Sequence, residues 1–579
     1  MKNTIHSLTI LILLALLQIP TLLQADATPP IFDRSARFHP VISKMGMVVS
    51  QEAIASRVGG EILSRGGNAI DAAVATGFAL AVTLPQAGNL GGGGFMLIHL
   101  AKSGKTLAID YREMAPSASH QGLFLNSQGE VDVTLARFSH QSAGTPGTVA
   151  GLTHVLKLYG TMNLQQVMAP AIALAANGIQ VSDSLAYSLD RARPRLQANS
   201  SSAHYFSRKD GTPLQAGDNW QQLDLAKTLK QIAHEGANGF YQGWVAGLIV
   251  EEMERGGGLI TQDDLTHYRV IERTPITGTY RGYVIASMPP PSSGGVHLVQ
   301  MLNVLEGWDL ANLGHNSAAY LHRLIETMRR AYADRSQYLG DPDFYPVPVA
   351  ALTDKTYAKQ LREHIHLQGS SRSTDIQPAL TVPEESPQTT HFSVWDSQGN
   401  VVSNTYTLNF SYGSGISVAG AGFLLNNEMD DFSAKPGVPN AYGLIGDKAN
   451  AIEPNKRPLS SMTPTIVFQN GKPIMATGSP GGSTIITVVL QNILNRVEFG
   501  MNIAEATAAP RIHHQWLPDM VLVEKGISPD TIMVLKKMGH QIDTTPHVLG
   551  RIQAITSDDD HLSGATDPRW PGGEAAAVK

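Results

Sequence analysis

Segments with a helical hydrophobic period alternate along the chain with short runs that have the two-residue period of a β-strand. Residues 50–65 and 69–83 have the pattern of two successive helices, and Asn68 is placed to cap the second by accepting a backbone N–H. A longer amphipathic helix is predicted over residues 317–338. Its apolar stripe consists of Leu321, Leu324, Ile325, Met328 and Tyr332. No repeat of fixed period interrupts this mixed pattern, which indicates a globular protein of helices and strands.

The pattern changes at Thr389. Residues 369–388 are rich in Ser and Pro and predict an exposed, mobile linker. Residues 389–395 then alternate in polarity, a turn follows, and residues 401–408 alternate again, which predicts two strands joined by a tight connection. On spacing alone an ordinary domain boundary explains this change, because threonine is common at strand starts.

Two glycine-rich segments predict turns. They are residues 89–95 (NLGGGGF) and residues 289–295 (PPPSSGG). Neither contains the Gly-Lys-Ser/Thr sequence of a phosphate-binding loop, so nucleotide binding is not predicted.

The first residues have the pattern of a secretory signal. Lys2 precedes an apolar run over residues 8–17, which is shorter than the roughly 20 residues that a spanning helix needs. We predict a signal peptide over residues 1–25, with cleavage after residue 27 as the alternative. The mature protein is therefore predicted to be periplasmic, with secretion as the alternative, and to have no membrane attachment.

The composition of the chain argues against several kinds of partner and reactive site. The chain of 579 residues has 43 Lys+Arg against 49 Asp+Glu, a net charge of −6, which argues against a nucleic-acid partner. The chain has no cysteine, which excludes disulfides, a cysteine nucleophile and thiolate metal sites. The histidine pairs at 364/366 and 513/514 do not form a zinc motif such as HExxH, so neither a metal nor another cofactor is predicted.

Downstream of Thr389 several motifs follow in a fixed order. They are TYTLN (405–409), LLNNEMDDF (424–432), NKRPLSSMTPT (455–465) and TGSPGGS (477–483), with DYREMAP (110–116) upstream. In this order the chain resembles the γ-glutamyltransferases. The likeness extends from about residue 40 to residues 567–569 and includes GNLGGGGFM, MPPPSSGG, LGDPDF and PRIHHQWLPD.

The resemblance implies an α+β protein with the four-layer αββα sandwich of the N-terminal-nucleophile hydrolases. It also implies a precursor that cuts itself before a threonine, here at Gln388–Thr389. A large subunit, residues 26–388, and a small subunit, residues 389–579, would then associate as a heterodimer. Cleavage would free an α-amine beside the Thr389 hydroxyl, and an α-amine with a pKa of about 7.7–8.0 can accept a proton near pH 7.

The resemblance also implies roles for residues around this nucleophile. Thr407 would hold the Thr389 side chain, and the backbone N–H groups of Gly481 and Gly482 would form the oxyanion hole. Residues 435–450 resemble the lid loop of many family members, with Tyr442 over the pocket.

A γ-glutamyl group carries an α-carboxylate and an α-ammonium on one carbon, so its recognition requires donors beside acceptors. The resemblance implies that the donors for the carboxylate are Arg112, Ser460 and Ser461. The acceptors for the ammonium are Glu428, Asp431 and Asn409.

The predicted function is therefore that of a γ-glutamyltransferase and glutathione hydrolase acting on small γ-glutamyl compounds through a γ-glutamyl-enzyme ester. Two alternatives stay open. One is a cephalosporin-acylase-like amidase of the same fold, and the other is a binding protein that keeps the fold but is never processed.

Overall fold

The computed structural model describes residues 36–376, 389–435, 437–438, 440, 443–558 and 560–578. Pro40–Lys579 is one compact unit. Residues up to His39 form a separate unit, of which 36–39 are described. The predicted signal peptide lies outside the described residues. Among the described residues, no helix has both the length and the apolar character that crossing a membrane requires.

The described strands are the following: β1 Val41–Ser43, β2 Gly46–Ser50, β3 Gly93–Leu100, β4 Lys105–Tyr111, β5 Ile179–Gln180, β6 Asn219–Trp220, β7 Ile271–Arg273, β8 Ile276–Tyr280, β9 Tyr283–Ser287, β10 Thr390–Asp396, β11 Val401–Thr407, β12 Thr465–Gln469, β13 Lys472–Thr477, β14 Ile512–His513, β15 Val521–Glu524, β16 Ile542–His547, β17 Gln553–Asp558, β18 His561–Thr566 and β19 Glu574–Ala577. Within these ranges they form two seven-stranded sheets, ordered β19-β2-β10-β11-β3-β4-β7 and β1-β18-β17-β13-β12-β9-β8. We call them the first and second sheet. Two small sheets, β14-β15-β16 and β5-β6, lie apart from them in the topology.

The described helices are the following: α1 Ala53–Ser64, α2 Ala69–Thr83, α3 Val133–Phe138, α4 Thr148–Tyr159, α5 Leu164–Asn177, α6 Asp183–Gln197, α7 Ser200–Tyr205, α8 Leu223–Glu235, α9 Asn238–Tyr241, α10 Gly243–Gly256, α11 Gln262–His267, α12 Gly294–Leu305, α13 Leu310–Leu313, α14 Ala318–Tyr338, α15 Val349–Leu352, α16 Lys355–Glu363, α17 Ile485–Val497, α18 Ile503–Ala508 and α19 Pro529–Lys537.

The first sheet is buried on both faces. Along β3, Met96 and Ile98 pack into a core shared with α1, α2, α4 and α5. Phe95 and Leu97 point the other way, into a core shared with the second sheet and with α12, α14 and α17. Because successive strand residues face opposite sides, this alternation places helices, two sheets and helices in order. The predicted four-layer αββα sandwich is confirmed.

The predicted and observed starts of the helices agree closely where a capping residue is present. Asn68 accepts from the backbone N–H of Ile70 and Asp71, and α2 begins at Ala69 as predicted. Ser317 caps α14, and its predicted apolar stripe is buried. The first helix begins later than predicted, at Ala53, because Ser50 belongs to β2 and the Glu52 side chain caps α1.

The prediction of a turn over residues 89–95 is wrong in its second half, since β3 begins at Gly93. Glycine is required here because the backbone of the neighbouring strand β11 approaches these residues closely. A β-carbon at Gly92 would lie 2.0 Å from the Thr407 carbonyl oxygen, and one at Gly94 would lie 2.5 Å from that of Thr405. Similarly, Gly294 and Gly295 of the second segment already belong to α12.

The linker prediction is also wrong for part of its length. Residues 377–388 lie outside the described residues, but Ser373 is completely buried in a short 3₁₀ turn, Ser373–Asp375. Its backbone N–H donates to Asp519 Oδ2 at 2.8 Å, and its carbonyl accepts from Trp516 Nε1 at 2.9 Å. Polar partners elsewhere in the chain therefore fix a segment whose composition predicts exposure.

Candidate active site

Thr389 stands directly before β10, at the end of the central hairpin of the first sheet. Thr390 pairs with Tyr406 in the β10–β11 ladder, so the register continues to place Thr389 opposite Thr407. The Thr389 Oγ1 hydroxyl donates to Thr407 Oγ1 at 3.4 Å, and Thr407 Oγ1 also accepts from the backbone N–H of Asn409 at 2.9 Å. The hairpin thus brings the predicted nucleophile and its predicted partner together.

A cavity with about 320 Å³ of space between protein atoms opens beside Thr389. Nine of the eleven predicted site residues line it: Arg112, Thr389, Thr407, Asn409, Glu428, Asp431, Ser460, Ser461 and Gly482. They come from six separate parts of the chain, so the fold has gathered them. Tyr442 lies outside the described residues. Gly481 is the neighbour of Gly482 and is not itself part of the lining.

Arg112 is buried and its guanidinium contacts the two carboxylates among the predicted acceptors. Nη1 pairs with Glu428 and Nη2 with Asp431 Oδ2, while Nε donates to the Pro458 carbonyl at 3.3 Å. Glu428 and Asp431 share one turn of 3₁₀ helix, which puts both carboxylates on the same side. The donor and acceptor groups are thus adjacent, as one carbon that carries two opposite charges requires.

A third carboxylate, Glu113, lies behind this pair, 3.6 Å from Arg112 Nη1. Burial raises the pKa of Glu113 to about 7, although the charge of Arg112 opposes the rise. Burial likewise raises the pKa of Glu428 and of Asp431, again against the effect of Arg112. The site therefore holds more buried acid than Arg112 alone neutralises, and an added cation would be stabilised there.

The amide of Asn409 has a defined orientation. Its Nδ2 donates to the Asn427 carbonyl at 2.9 Å, which turns Oδ1 to the opposite side of the amide. Asn409 has a positive φ of 72°, a conformation that asparagine tolerates better than most residues. This geometry suits the predicted acceptor role.

Ser460 and Ser461 lie on a segment that is held by the second glycine-rich motif. Ser460 N donates to the Pro291 carbonyl at 2.9 Å, and the Ser460 carbonyl accepts from Ser293 N at 2.8 Å. Residues from the predicted large subunit therefore set the position of serines from the predicted small subunit.

Gly481 and Gly482 form the turn that leads into α17. Their φ angles are 144° and 54°, in the region that favours glycine. Gly482 begins a 3₁₀ turn, Gly482–Thr484, that continues directly as α17. The N-terminus of a 13-residue helix therefore points toward the cavity, where its partial positive charge favours an anion.

The loop predicted as a lid lies at the cavity through two of its described residues, Asn440 and Leu444, which line it. The Asn440 backbone N–H donates to the Leu444 carbonyl at 3.1 Å. Sequence reasoning missed these two residues and also Arg335, Leu459, Met462 and Ile485, which complete the lining. Arg335 carried a usable signal, because it continues the predicted apolar stripe of α14 three residues after Tyr332.

Comparison with known proteins agrees with this geometry. The sequence profile of the family described as Gamma-glutamyltranspeptidase matches residues 55–577. The chain belongs to this family. A relative, the glutathione hydrolase proenzyme of Escherichia coli strain K12, is 53% identical over 533 residues, which cover 92% of each chain.

Solved structures of two relatives extend the likeness of this gamma-glutamyltranspeptidase family member. The cephalosporin acylase from Bacillus halodurans superposes with a TM-score of 0.84 at 28% identity, covering 95% of this chain and 99% of that one. The γ-glutamyltranspeptidase of Helicobacter pylori is 50% identical with a TM-score of 0.57, covering 58% of this chain and 96% of that chain. The fold is therefore shared with a cephalosporin acylase and with a γ-glutamyltranspeptidase.

Among the described residues, no group of three or more His, Cys, Asp or Glu side chains is arranged to hold a metal ion. His513 and His514, one of the histidine pairs in the sequence, are bonded to Thr487 and Asp519 instead.

Proposed function

We propose that this protein is a γ-glutamyltransferase and glutathione hydrolase, made as a precursor that cleaves itself between Gln388 and Thr389. The observation that carries the proposal is the cavity in which Thr389 meets two arginines and two carboxylates. Its large and small subunits remain together as a heterodimer, because the first sheet takes strands from both sides of residue 388.

The charges of the cavity favour a zwitterionic donor. Arg112 and Arg335 supply two positive charges, and Glu428 and Asp431 supply two negative ones. An α-amino-acid head group leaves this balance unchanged, since it brings one charge of each sign. Arg112 and the paired serines donate to the α-carboxylate, and Glu428, Asp431 and Asn409 accept from the α-ammonium.

The chemistry follows from this placement. With the head group bound, the Thr389 hydroxyl attacks the γ-carbonyl carbon, and the α-amine of the same residue takes its proton. The oxyanion that forms accepts from the N–H groups of Gly481 and Gly482. On collapse the α-ammonium of Thr389 returns its proton to the leaving nitrogen, which departs as a neutral amine and leaves a γ-glutamyl ester on Thr389. Water or an amino acid or peptide amine then cleaves this ester.

A cephalosporin-acylase-like activity is the second candidate, because an acylase of that kind superposes over nearly the whole chain. The buried acids speak against it. A glutaryl group has a carboxylate but no ammonium, so it would add a negative charge beside Glu428 and Asp431, which Arg112 already pairs, without the positive charge that an ammonium brings. Uncompensated buried charge is costly. We propose that the γ-glutamyl group is the preferred acyl group for this reason.

We also propose that residues 1–25 are a signal peptide and that the mature enzyme acts in the periplasm. The apolar run after Lys2 supports this proposal.

The proposal is tested by expressing the chain with its N-terminal segment and following maturation and turnover together. We expect denaturing electrophoresis to show two fragments, the smaller beginning at Thr389. The wild type should release p-nitroaniline from γ-glutamyl-p-nitroanilide and much less from glutaryl-p-nitroanilide. Thr389→Ala should stay a single chain without turnover, because it lacks the nucleophile of both reactions.

Thr374→Ala, at an exposed threonine before the cut, is the matched control and should mature normally. A fully active protein that stays one chain would refute the proposal. Faster release from the glutaryl than from the γ-glutamyl substrate would favour the acylase.

A further inference from the structure

Arg335 is a cation near the end of the buried helix α14, with only 4% of its surface exposed. Its Nε donates to Ser293 Oγ at 2.9 Å and its Nη2 donates to Ser461 Oγ at 3.1 Å. A guanidinium has donors and no acceptor, so both hydroxyl oxygens must act as acceptors in these bonds.

This constraint decides where each serine directs its own hydrogen. Ser293 Oγ lies 2.8 Å from the Ser460 carbonyl, which can only accept, so the Ser293 hydroxyl donates there. By the same reasoning the Ser461 hydrogen points away from Arg335. Ser461 and Arg335 both line the cavity beside Arg112, so the hydrogen is available to an anion bound there.

We propose that Arg335 is a positioning residue that holds Ser461 as a hydrogen-bond donor to the α-carboxylate of the substrate. This inference rests on the proposed function, which assigns that carboxylate to Arg112 and the serines. Arg335 touches the serine, and the serine touches the substrate.

The PPPSSGG segment has no direct part in the proposed reaction. Its contacts near Arg335 indicate a structural role. Ser292 Oγ donates to the Met462 carbonyl at 2.6 Å, and a β-carbon at Gly294 would lie 2.3 Å from Thr463 Oγ1. The segment thus lies flat against residues 460–463 and fixes the spacing between Arg335 and Ser461.

Helix α14 also contacts the other side of the reaction centre. Tyr332, three residues before Arg335, donates through its hydroxyl to the Ser483 carbonyl in the turn after Gly482. The charge of Arg335 reaches Asp431 too, because it opposes the rise in pKa that burial causes there. One helix therefore supports the serine and the glycine turn together.

The test compares two anilides that differ only in the α-carboxylate: γ-glutamyl-p-nitroanilide and 4-aminobutyryl-p-nitroanilide. Arg335→Gln should lower kcat/KM for the first by about 10- to 100-fold, mainly through KM, as expected for a hydrogen bond to a charged group. It should change kcat/KM for the second by less than about 3-fold, because that substrate has no group for Ser461 to bind.

A double-mutant cycle links the effect to Ser461. In a Ser461→Ala background, Arg335→Gln should cost less than about 2-fold further with the γ-glutamyl substrate, because the hydroxyl is already gone. Arg323→Gln, at a partly buried arginine of the same helix that does not line the cavity, is the matched control and should leave both parameters unchanged.

Only material that has matured into two chains is compared. If Arg335→Gln does not mature, Arg335→Lys replaces it, since lysine keeps the charge but not the fork, and the same preference between substrates is expected. Equal losses on both anilides, or independent effects in the cycle, would overturn the inference while leaving the proposed function intact. A wild type without activity on the γ-glutamyl anilide would instead refute the proposed function.

Discussion

At the scale of single residues, the turn before α17 shows most directly how sequence fixes chemistry. Gly481 has a φ of 144°, and a β-carbon there would lie 2.5 Å from Thr484 Oγ1. Thr484 is itself fixed, because its hydroxyl donates to the Gly481 carbonyl at 2.8 Å. Only glycine therefore fits the backbone of this turn, which places Gly482 at the cavity.

We expect Gly481→Ala to lower kcat for γ-glutamyl-p-nitroanilide by about 100- to 1000-fold, because the added β-carbon would shift the turn and displace a backbone donor of the proposed oxyanion hole. KM should change little, because the oxyanion exists only after attack. Gly500→Ala is the control: Gly500 has a φ of 63° and open space around its Cα. A Gly481→Ala enzyme with nearly normal kcat would show that the oxyanion is stabilised elsewhere.

At this scale, motifs in the sequence predicted which side chains the fold brings together. Thr389, Arg112 and the paired serines were predicted from motifs, and the fold places all of them around one cavity. Arg335 was missed because a charged residue on an amphipathic helix usually faces water. Only the tertiary structure shows the two hydroxyls that make its burial favourable.

At the scale of elements, the β10–β11 hairpin is an exception to the rule that the polar positions of an alternating strand face water. Its polar positions face the second sheet instead of water: Ser393 Oγ donates to the Gln553 carbonyl at 3.0 Å, and Ser403 Oγ to that of Thr477 at 3.1 Å. The alternation predicted the strands correctly. It could not predict a polar contact between two sheets, because a hydrogen-bonded buried hydroxyl and a solvated one look the same in sequence.

The segment before the proposed cut is fixed by an ionic contact that can be tested. Arg329, on α14, pairs with Asp519 and donates to Ser373. We expect Asp519→Asn to lower the free energy of unfolding by about 1–3 kcal/mol, because it weakens two hydrogen bonds to a charged group. Urea denaturation of the mature protein measures this loss.

Asp375→Asn provides the control within the same segment. Asp375 pairs with Arg372 at 2.9 Å, but both side chains are more than half exposed, so the loss should stay below about 1 kcal/mol. Equal destabilisation by the two variants would contradict a specific role for the Asp519 contact.

At the scale of the whole molecule, buried neutral histidines couple folding to pH. Burial lowers the pKa of His391, His513 and His540 to about 3 and that of His514 to about 4. The unfolded chain therefore binds more protons than the folded one between about pH 6.5 and pH 4. The free energy of unfolding should fall as the pH decreases through this range.

His540→Asn should make that fall less steep, by up to about 1.4 kcal/mol per pH unit, since it removes one such group. His540 Nε2 contacts His322 Nδ1 at 2.8 Å, and both rings are buried. Urea denaturation at pH 7, 6 and 5 checks the slope. His234→Asn, at a histidine with 81% of its side chain exposed, should leave the slope unchanged. A slope that His540→Asn does not alter would show that this histidine titrates normally.

The sequence by itself determined the strand and helix periods, the caps that begin α2 and α14, the absence of thiol chemistry and the position of the threonine that we propose as nucleophile. These are local properties, set by neighbours a few residues apart. Only the tertiary structure decided that β3 runs through the glycine segment, that Ser373 is buried, and that Arg335 meets Ser461. Each of these depends on at least one partner more than 40 residues away along the chain, which for β3 is β11. The period and spacing around a residue do not identify such a distant partner.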